Sequence, residues 1–149
     1  AVPKGPSMNP RERRLAVMVE DHPLEYADFE GRIPQGEYGG GAVIVWDRGE
    51  YRMIDPPDDA GAGVRRGGFE FELRGEKLRG AFVMIRTRAM RGARTDRREQ
   101  WLLIKRRDRF ASDRDVLSSM PRSVISGLTL EEMQHGARPT HQVSQRRND

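Results

Sequence analysis

The feature that most constrains the fold is a series of short segments in which apolar and polar residues alternate, separated by turns. In residues 69–74, FEFELR, every second side chain is apolar. Successive side chains of a strand point to opposite faces, so this pattern predicts a half-buried antiparallel strand. Residues 15–20, 78–87 and 100–106 predict further strands. Several short strands joined by turns are typical of a small β-barrel or a curled sheet.

A β-hairpin is predicted immediately before this region. Residues 42–46 and 50–54 have strand composition, and Asp47-Arg48-Gly49 supplies the turn between them. Residues 55–68 are rich in Pro, Asp and Gly and predict a loop. The segment Pro23 to Glu30 has the length of one short helical turn.

The pattern changes after Asp108, where hydrophobic periodicity becomes weak. We therefore expect a β-barrel domain over residues 1–109 and a linker or tail over residues 110–149. Thr129 and Glu132 have the spacing of a capping box, so a short helix is expected near residues 129–135. Residues beyond about 136 are expected to be disordered.

The predicted fold class is mainly β. It is a small antiparallel β-barrel, complete or incomplete, with short helical segments and a flexible C-terminal tail. The chain has no cysteine, which excludes disulfides and thiolate metal sites. It has no apolar run long enough for a membrane span and no signal-peptide pattern. A cytoplasmic protein is expected.

The net charge of +4 is unevenly distributed: residues 1–85 carry −3 and residues 86–149 carry +7. The excess is densest between Arg86 and Arg109, and nearly all of it is arginine, whose planar fork suits phosphate oxygens. Residues 88–98 predict a mobile basic loop that contacts nucleic acid through its arginines, namely Arg88, Arg91, Arg94, Arg97 and Arg98. A genome that favours arginine codons accounts equally well for this composition.

The residues best suited to chemistry lie in Glu20 to Tyr26, EDHPLEY, which contains one imidazole, three carboxylates and one phenol. His22 follows a predicted strand, and histidine can bind a phosphate oxygen or transfer a proton near neutral pH. Tyr26 is four residues further on, so a helical turn would bring its hydroxyl to the same side. A histidine before proline is, however, more often an ordinary turn residue.

Other charged residues allow two interpretations each. Lys4 and Arg14 can neutralise a phosphate near His22, or they can belong to a solvated basic turn. Glu20 can orient His22 or a cation, or it can be a surface carboxylate at a strand end. The glycine-rich segment Ile33 to Gly41 lacks a Walker lysine and is interpreted as a tight corner. His135 and His141 lie in the weakly patterned tail and are treated as incidental.

Taken in order, several motifs resemble the 3′-phosphoesterase module of bacterial DNA ligase D. They are AVPKGPSMNPRERRLAVMVEDHPLEYADFEGRIPQGEYGGGAVIVWDRGEY, LRGEKLRGAFVMIRT and EQWLLIKRRD. PRSVISGLTLEEM resembles the segment that follows the module in multi-domain ligases. The resemblance extends to about Met133, and its two most specific motifs are VEDHPLEYADFEG and IPQGEYGGG.

The resemblance implies a small barrel with a polar cavity and an enzyme of end-joining repair. That family removes a 3′-ribonucleoside or 3′-phosphate from DNA ends and needs a divalent metal, typically manganese. Its partners would be DNA 3′ ends or a primer-template, together with ligase and polymerase domains. By position, the residues that match the family's active site are Lys4, Arg14, Glu20, His22 and Tyr26, of which His22 and Tyr26 resemble the groups that hold the scissile phosphate.

The resemblance also implies that the family's metal ligands, two histidines and an aspartate, precede the AVPKGPS motif with which this chain begins. No metal ligand is therefore assigned, and the chain is expected to be a fragment or an incomplete copy with little or no phosphoesterase activity by itself. The alternatives are a non-catalytic module that binds DNA ends and a scaffold of a ligase D-type complex. Metal-dependent turnover distinguishes the enzyme from both, and salt-sensitive DNA affinity distinguishes the binding module from the scaffold.

Overall fold

The structure is a computed structural model that describes residues 1–32, 41–87 and 99–137. Its contacts divide the chain into two compact units. Unit 1 comprises Ala1–Glu20 and Gly49–Ser119, and unit 2 comprises Asp21–Arg48 and Met120–Asp149. This division into units does not test whether residues 1–109 fold independently. The predicted domain boundary after residue 109 therefore stays a prediction.

Unit 1 contains a five-stranded antiparallel sheet with the strand order β1-β7-β6-β5-β4. Its strands are β1 (Arg14–Val17), β4 (Gly49–Asp55), β5 (Gly68–Gly75), β6 (Arg79–Arg86) and β7 (Gln100–Lys105). Within the described residues, β1 and β4 remain the two edges, so the sheet is open. The predicted mainly β, antiparallel class is confirmed, and the described strands form an incomplete barrel and not a closed one.

The core of unit 1 lies on one face of the sheet. Phe71 and Phe82 are paired across β5 and β6 and stack with ring centroids 6.1 Å apart. Leu103 and Trp101 of β7 are buried on the same face. The alternation read from the sequence therefore places β5, β6 and β7 close to where they were predicted, because a period of two fixes which side chains share a face.

Residues 55–68, predicted to be a loop, contain a short helix, α1 (Ala60–Arg66). The side chain of Asp59 accepts a hydrogen bond from the backbone N–H of Ala62, and Gly67 ends the helix in the left-handed conformation with φ of 85°. An N-cap aspartate and a glycine at the C-terminal end are both known helix signals. The sequence nevertheless predicts a loop, because the glycines between these two signals have low helix propensity.

The predicted hairpin of residues 42–46 and 50–54 is wrong. The first segment forms the two-residue strand β3 (Ala42–Val43), which pairs with β2 (Gly31–Arg32). The second segment is β4, which pairs with β5. Composition correctly indicated that both segments contain strand residues. Each segment, however, pairs with a strand other than its neighbour in the predicted hairpin.

Unit 2 contains a 3₁₀ turn (Leu24–Asp28), the β2-β3 pair and α3 (Leu130–Gln134), which packs against β2 and β3. The predicted helical turn and the short C-terminal helix are both confirmed. The capping box is also confirmed, because Thr129 accepts from the N–H of Glu132 and the Glu132 side chain accepts from the N–H of Thr129.

Residues 110–137 contribute to both units. The short helix α2 (Val116–Ser119) buries Val116 in unit 1, and Leu128 and Met133 are buried in unit 2. The predicted basic loop of residues 88–98, most of the glycine-rich corner and the predicted disordered end lie outside the described residues. Among the described residues, no helix is both long and apolar enough to cross a membrane.

Candidate functional site

Tyr26 lies on the 3₁₀ turn of unit 2, and His22 directly precedes Pro23, the N-cap residue of that turn. The Tyr26 N–H donates to the carbonyl of Pro23 at 3.0 Å, which starts the turn. The two rings meet edge to face, with centroids 6.5 Å apart. His22 is exposed and Tyr26 is 58% exposed, so both polar groups are accessible to a ligand. This arrangement can offer an imidazole and a phenol hydroxyl to one phosphate group.

His22 does not lie directly at a strand end as predicted. β1 ends at Val17, and His22 belongs to the connection that leads from β1 to the 3₁₀ turn. The strand is shorter than expected because its pairing with β7 ends at Val17 and Gln100. The proximity of His22 and Tyr26 that their spacing suggested is nevertheless observed.

The surroundings of these rings are aromatic and acidic. Phe29 follows Tyr26 with ring centroids 6.3 Å apart. Asp21, Glu25 and Asp28 are exposed carboxylates of the same stretch. Carboxylate oxygens suit divalent cations, but the part of the chain that the structure describes contains no group of three or more His, Asp or Glu placed to hold a metal ion.

In unit 1, Arg14 lies on edge strand β1 and is half-buried. Its Nη2 donates to Glu12 Oε2 at 2.7 Å. Its Nε is buried and has no hydrogen-bond partner within the described residues. A buried N–H without a hydrogen-bond partner costs folding free energy.

Arg14 borders a small cleft of about 140 Å³. The other residues of this cleft are Pro6, Ser7, Glu12, Asp113, Arg114, Asp115 and Val116. Hydrogen bonds from the Ser118 hydroxyl and backbone N–H are the main cause that lowers the pKa of Asp115, and the positive charge of Arg14 contributes. The sequence did not indicate these neighbours, because residues 113–116 carry no motif and approach Arg14 only through the tertiary fold.

The remaining predicted residues are also placed. Lys4 is exposed in a turn that is closed by a hydrogen bond from Gly5 N to Val2 O at 2.9 Å. Glu20 is exposed and is the last residue of the first segment of unit 1. Lys4, Arg14 and Glu20 thus belong to unit 1, whereas His22 and Tyr26 belong to unit 2. That all five form one site stays a prediction, and so does DNA contact by the arginines of residues 88–98, which lie outside the described residues.

Comparison with known proteins places these features in a family. The family model of the DNA ligase D 3′-phosphoesterase domain matches residues 1–86. The multifunctional non-homologous end joining protein LigD of Pseudomonas aeruginosa is 53% identical over 133 residues, which is 87% of this chain and 15% of that protein. The protein of the same name from Mycolicibacterium smegmatis is 42% identical over 96 residues, or 59% of this chain and 12% of that protein.

The open antiparallel sheet and the exposed His22–Tyr26 turn thus occur in a phosphoesterase-type domain. The chain belongs to the DNA ligase D 3′-phosphoesterase domain family. It spans about 15% of the length of its Pseudomonas aeruginosa relative.

Proposed function

We propose that this chain forms part of a metal-dependent phosphoesterase that trims DNA 3′ ends. The reaction removes a terminal ribonucleoside or phosphate and leaves a hydroxyl that a ligase can use. Membership of the phosphoesterase domain family supports the reaction class. The single structural observation that carries the proposal is the exposed pair of His22 and Tyr26, whose ring centroids lie 6.5 Å apart.

Each proposed residue has a role that its chemistry permits. His22 binds a phosphate oxygen as an imidazolium or delivers a proton to the leaving oxygen. The Tyr26 hydroxyl donates a hydrogen bond to the phosphate as charge develops. Lys4 and Arg14 neutralise phosphate charge. Glu20 has a carboxylate that can orient His22 or a cation.

The proposed cofactor is a divalent metal, with manganese as the first choice. The family implies a metal-dependent domain in general. The His, Asp and Glu side chains in the described ranges do not form a group that could hold a metal ion. When bound, such an ion would supply polarisation of the phosphate and activation of water.

The proposed setting is end-joining repair in the bacterial cytoplasm. Two relatives are named as multifunctional non-homologous end joining proteins. The proposed partners are DNA 3′ ends or a primer-template and, in the same assembly, ligase and polymerase domains.

The proposal is tested on the natural full-length protein that carries this chain. Three primer-templates are compared, with primers that end in a ribonucleotide, a 3′-phosphate or an ordinary deoxynucleotide, each with manganese and with a chelator. We expect manganese-dependent conversion of the first two ends to 3′-hydroxyls and no change in the third. Binding of all three ends without trimming of any would favour a non-catalytic DNA-end module.

The role of Tyr26 is tested by Tyr26→Phe, which keeps the ring and removes the hydroxyl. Loss of one charge-stabilising donor should reduce the trimming rate by on the order of 10²-fold. The matched control is Tyr51→Phe, which removes the hydroxyl of a similarly exposed tyrosine on β4 of unit 1. Equal rates for the two variants would remove Tyr26 from the proposed site.

A further inference from the structure

The 3₁₀ turn that carries Tyr26 has little internal means of holding its shape. It spans five residues, none of which is buried. A 3₁₀ turn of this length has poor hydrogen-bond geometry and gains no cooperative stability. The orientation of His22 and Tyr26 must therefore depend on how the ends of the turn are attached.

The attachment at the C-terminal end of the turn is Glu30. The N–H of Phe29 donates to the carbonyl of Tyr26 at 3.0 Å, which closes the turn immediately before Glu30. The Glu30 side chain is half-buried. Its Oε1 accepts hydrogen bonds from the N–H of Val45, at 2.8 Å, and from the hydroxyl of Ser123.

The geometry of Ser123 is suited to this contact. Ser123 is 6% exposed, and its Oγ accepts from the N–H groups of Ile125 and Ser126, each at 2.9 Å. These two donors occupy the oxygen lone pairs, so the hydroxyl hydrogen remains for the carboxylate of Glu30. The loop of residues 123–128, which contains Ser123, is also closed internally, because the N–H of Ser123 donates to the carbonyl of Leu128 at 2.8 Å.

Val45 completes the junction between the two segments of unit 2. Its N–H is bound by Glu30, and its carbonyl accepts from the N–H of Val124 at 3.0 Å. The indole Nε1 of Trp46 donates to the carbonyl of Met120 at 2.7 Å. Residues 120–128 are thus attached directly to the segment that follows the 3₁₀ turn.

We propose that Glu30 and Ser123 are positioning residues, which fix the 3₁₀ turn so that His22 and Tyr26 face the substrate phosphate together. This inference rests on the proposed function, because that function assigns the side chains of His22 and Tyr26 to the substrate phosphate. Ser123 lies beyond residues 1–86, the part that matches the family domain. A residue outside the part that matches the family domain thus shapes the site by holding the turn and not by touching substrate.

The variants Glu30→Ala, Glu30→Gln and Ser123→Ala test the inference in the natural full-length protein. Glu30→Gln retains a carbonyl oxygen that can accept from Val45 and Ser123, so it is the conservative rescue. The matched control is Ser126→Ala, which removes another buried hydroxyl of the same loop, one that accepts from Leu128 N and does not contact Glu30.

Two measurements are made on each variant. For trimming of a 3′-ribonucleotide primer with manganese, we expect Glu30→Ala and Ser123→Ala to lower kcat by on the order of 10- to 100-fold, since misplacement of reacting groups by about 1 Å costs this much. KM should change little, because Glu30 and Ser123 are proposed to position His22 and Tyr26 and not to bind DNA themselves. Glu30→Gln should recover most of the parental kcat, and Ser126→Ala should retain it.

Hydrogen exchange of the peptide that covers residues 21–30 is the second measurement, and it does not depend on activity. Exchange at Tyr26 and Phe29 should become faster in Glu30→Ala, with the amides of β5 and β6 unchanged. Unchanged exchange would overturn the inference, and so would a kcat loss of equal size in Ser126→Ala. If the parent protein trims no end, the proposed function fails, while the exchange result still decides whether Glu30 holds the turn.

Discussion

At the scale of single residues, Lys105 shows how unit 1 accommodates a buried charge. Its side chain is fully buried, and its Nζ donates to the carbonyls of Ala81 and Arg106 at 3.0 Å each. The third donor meets Asp108 Oδ1 at 2.7 Å. Gly80, at φ of 97°, leaves room for this cluster, since a Cβ there would lie 2.8 Å from the Lys105 nitrogen. The ammonium is therefore satisfied by three acceptors, which is what makes its burial tolerable.

The two partners of this ion pair should differ in importance. Asp108→Ala leaves a buried ammonium without its counter-charge and should cost about 3–5 kcal/mol of unfolding free energy. Lys105→Met should cost less, because the Asp108 side chain is 27% exposed and can be hydrated. Urea denaturation measures both variants. Arg106→Met, which breaks a more exposed ion pair with Glu70, is the control and should change stability by under about 1 kcal/mol. A larger loss in Lys105→Met than in Asp108→Ala would contradict this account.

Asp108 should also contribute to acid sensitivity. Partial burial acts to raise its pKa, but hydrogen bonds from Ala81 N and Phe110 N and the Lys105 ammonium together hold that pKa below its ordinary value. A carboxyl with a lowered folded-state pKa stabilises the protein above its unfolded value of about 3.9 and loses this effect as pH falls through the folded value. Melting temperatures between about pH 2 and 6 should therefore fall less steeply in Asp108→Asn than in the parent. Parallel curves would show that Asp108 does not contribute.

At the scale of elements, the helices and strands that could be predicted from the sequence are those whose signals lie within one short segment. The Thr129–Glu132 spacing indicated α3, because a capping box is completed within four residues. The strands β5, β6 and β7 were predictable from their alternation. The β2–β3 pairing was not, since nothing within a short segment specifies its partner. The role of Glu30 could not be predicted from the sequence for the same reason, because its hydrogen bond with Ser123 joins residues 93 positions apart.

The contribution of the α3 N-cap to the free energy of unfolding should be measurable by substitution of Thr129. Thr129→Ala removes the acceptor for the Glu132 N–H and should cost about 0.5–2 kcal/mol, whereas Thr129→Ser keeps the hydroxyl and should cost little. Denaturant unfolding and hydrogen exchange in residues 130–135 measure the effect. If serine is as destabilising as alanine, the threonine methyl group and not the cap hydrogen bond stabilises this end of the helix.

At the scale of the whole molecule, the uneven charge distribution bears on DNA affinity. Residues 86–149 carry a net charge of +7, and the arginines at 88, 91, 94, 97 and 98 lie in a stretch without aromatic residues. Such a stretch can contact phosphates but has no aromatic side chain to stack on a base, so we predict that it adds affinity without sequence preference.

Replacement of Arg91, Arg94 and Arg97 by glutamine tests this prediction. Each phosphate contact that is lost should flatten the log–log salt dependence of binding by about 0.7–0.9. Affinity for ends of different sequence should fall to a similar extent. An unchanged slope at low salt would favour the codon-usage explanation of the arginine content.

The central claim, that this chain supplies the phosphate-contacting groups of a DNA 3′-phosphoesterase, is tested most directly by the rate of single-turnover trimming in His22→Ala. The control is His135→Ala, because His135 is another exposed histidine of unit 2 and lies at the end of α3. In the natural full-length protein with manganese, we predict that His22→Ala loses on the order of 10²-fold or more in rate with an unchanged melting temperature. We predict that His135→Ala retains both. Parental trimming by His22→Ala, or a melting temperature well below that of the parent, would contradict the assignment of His22 to phosphate.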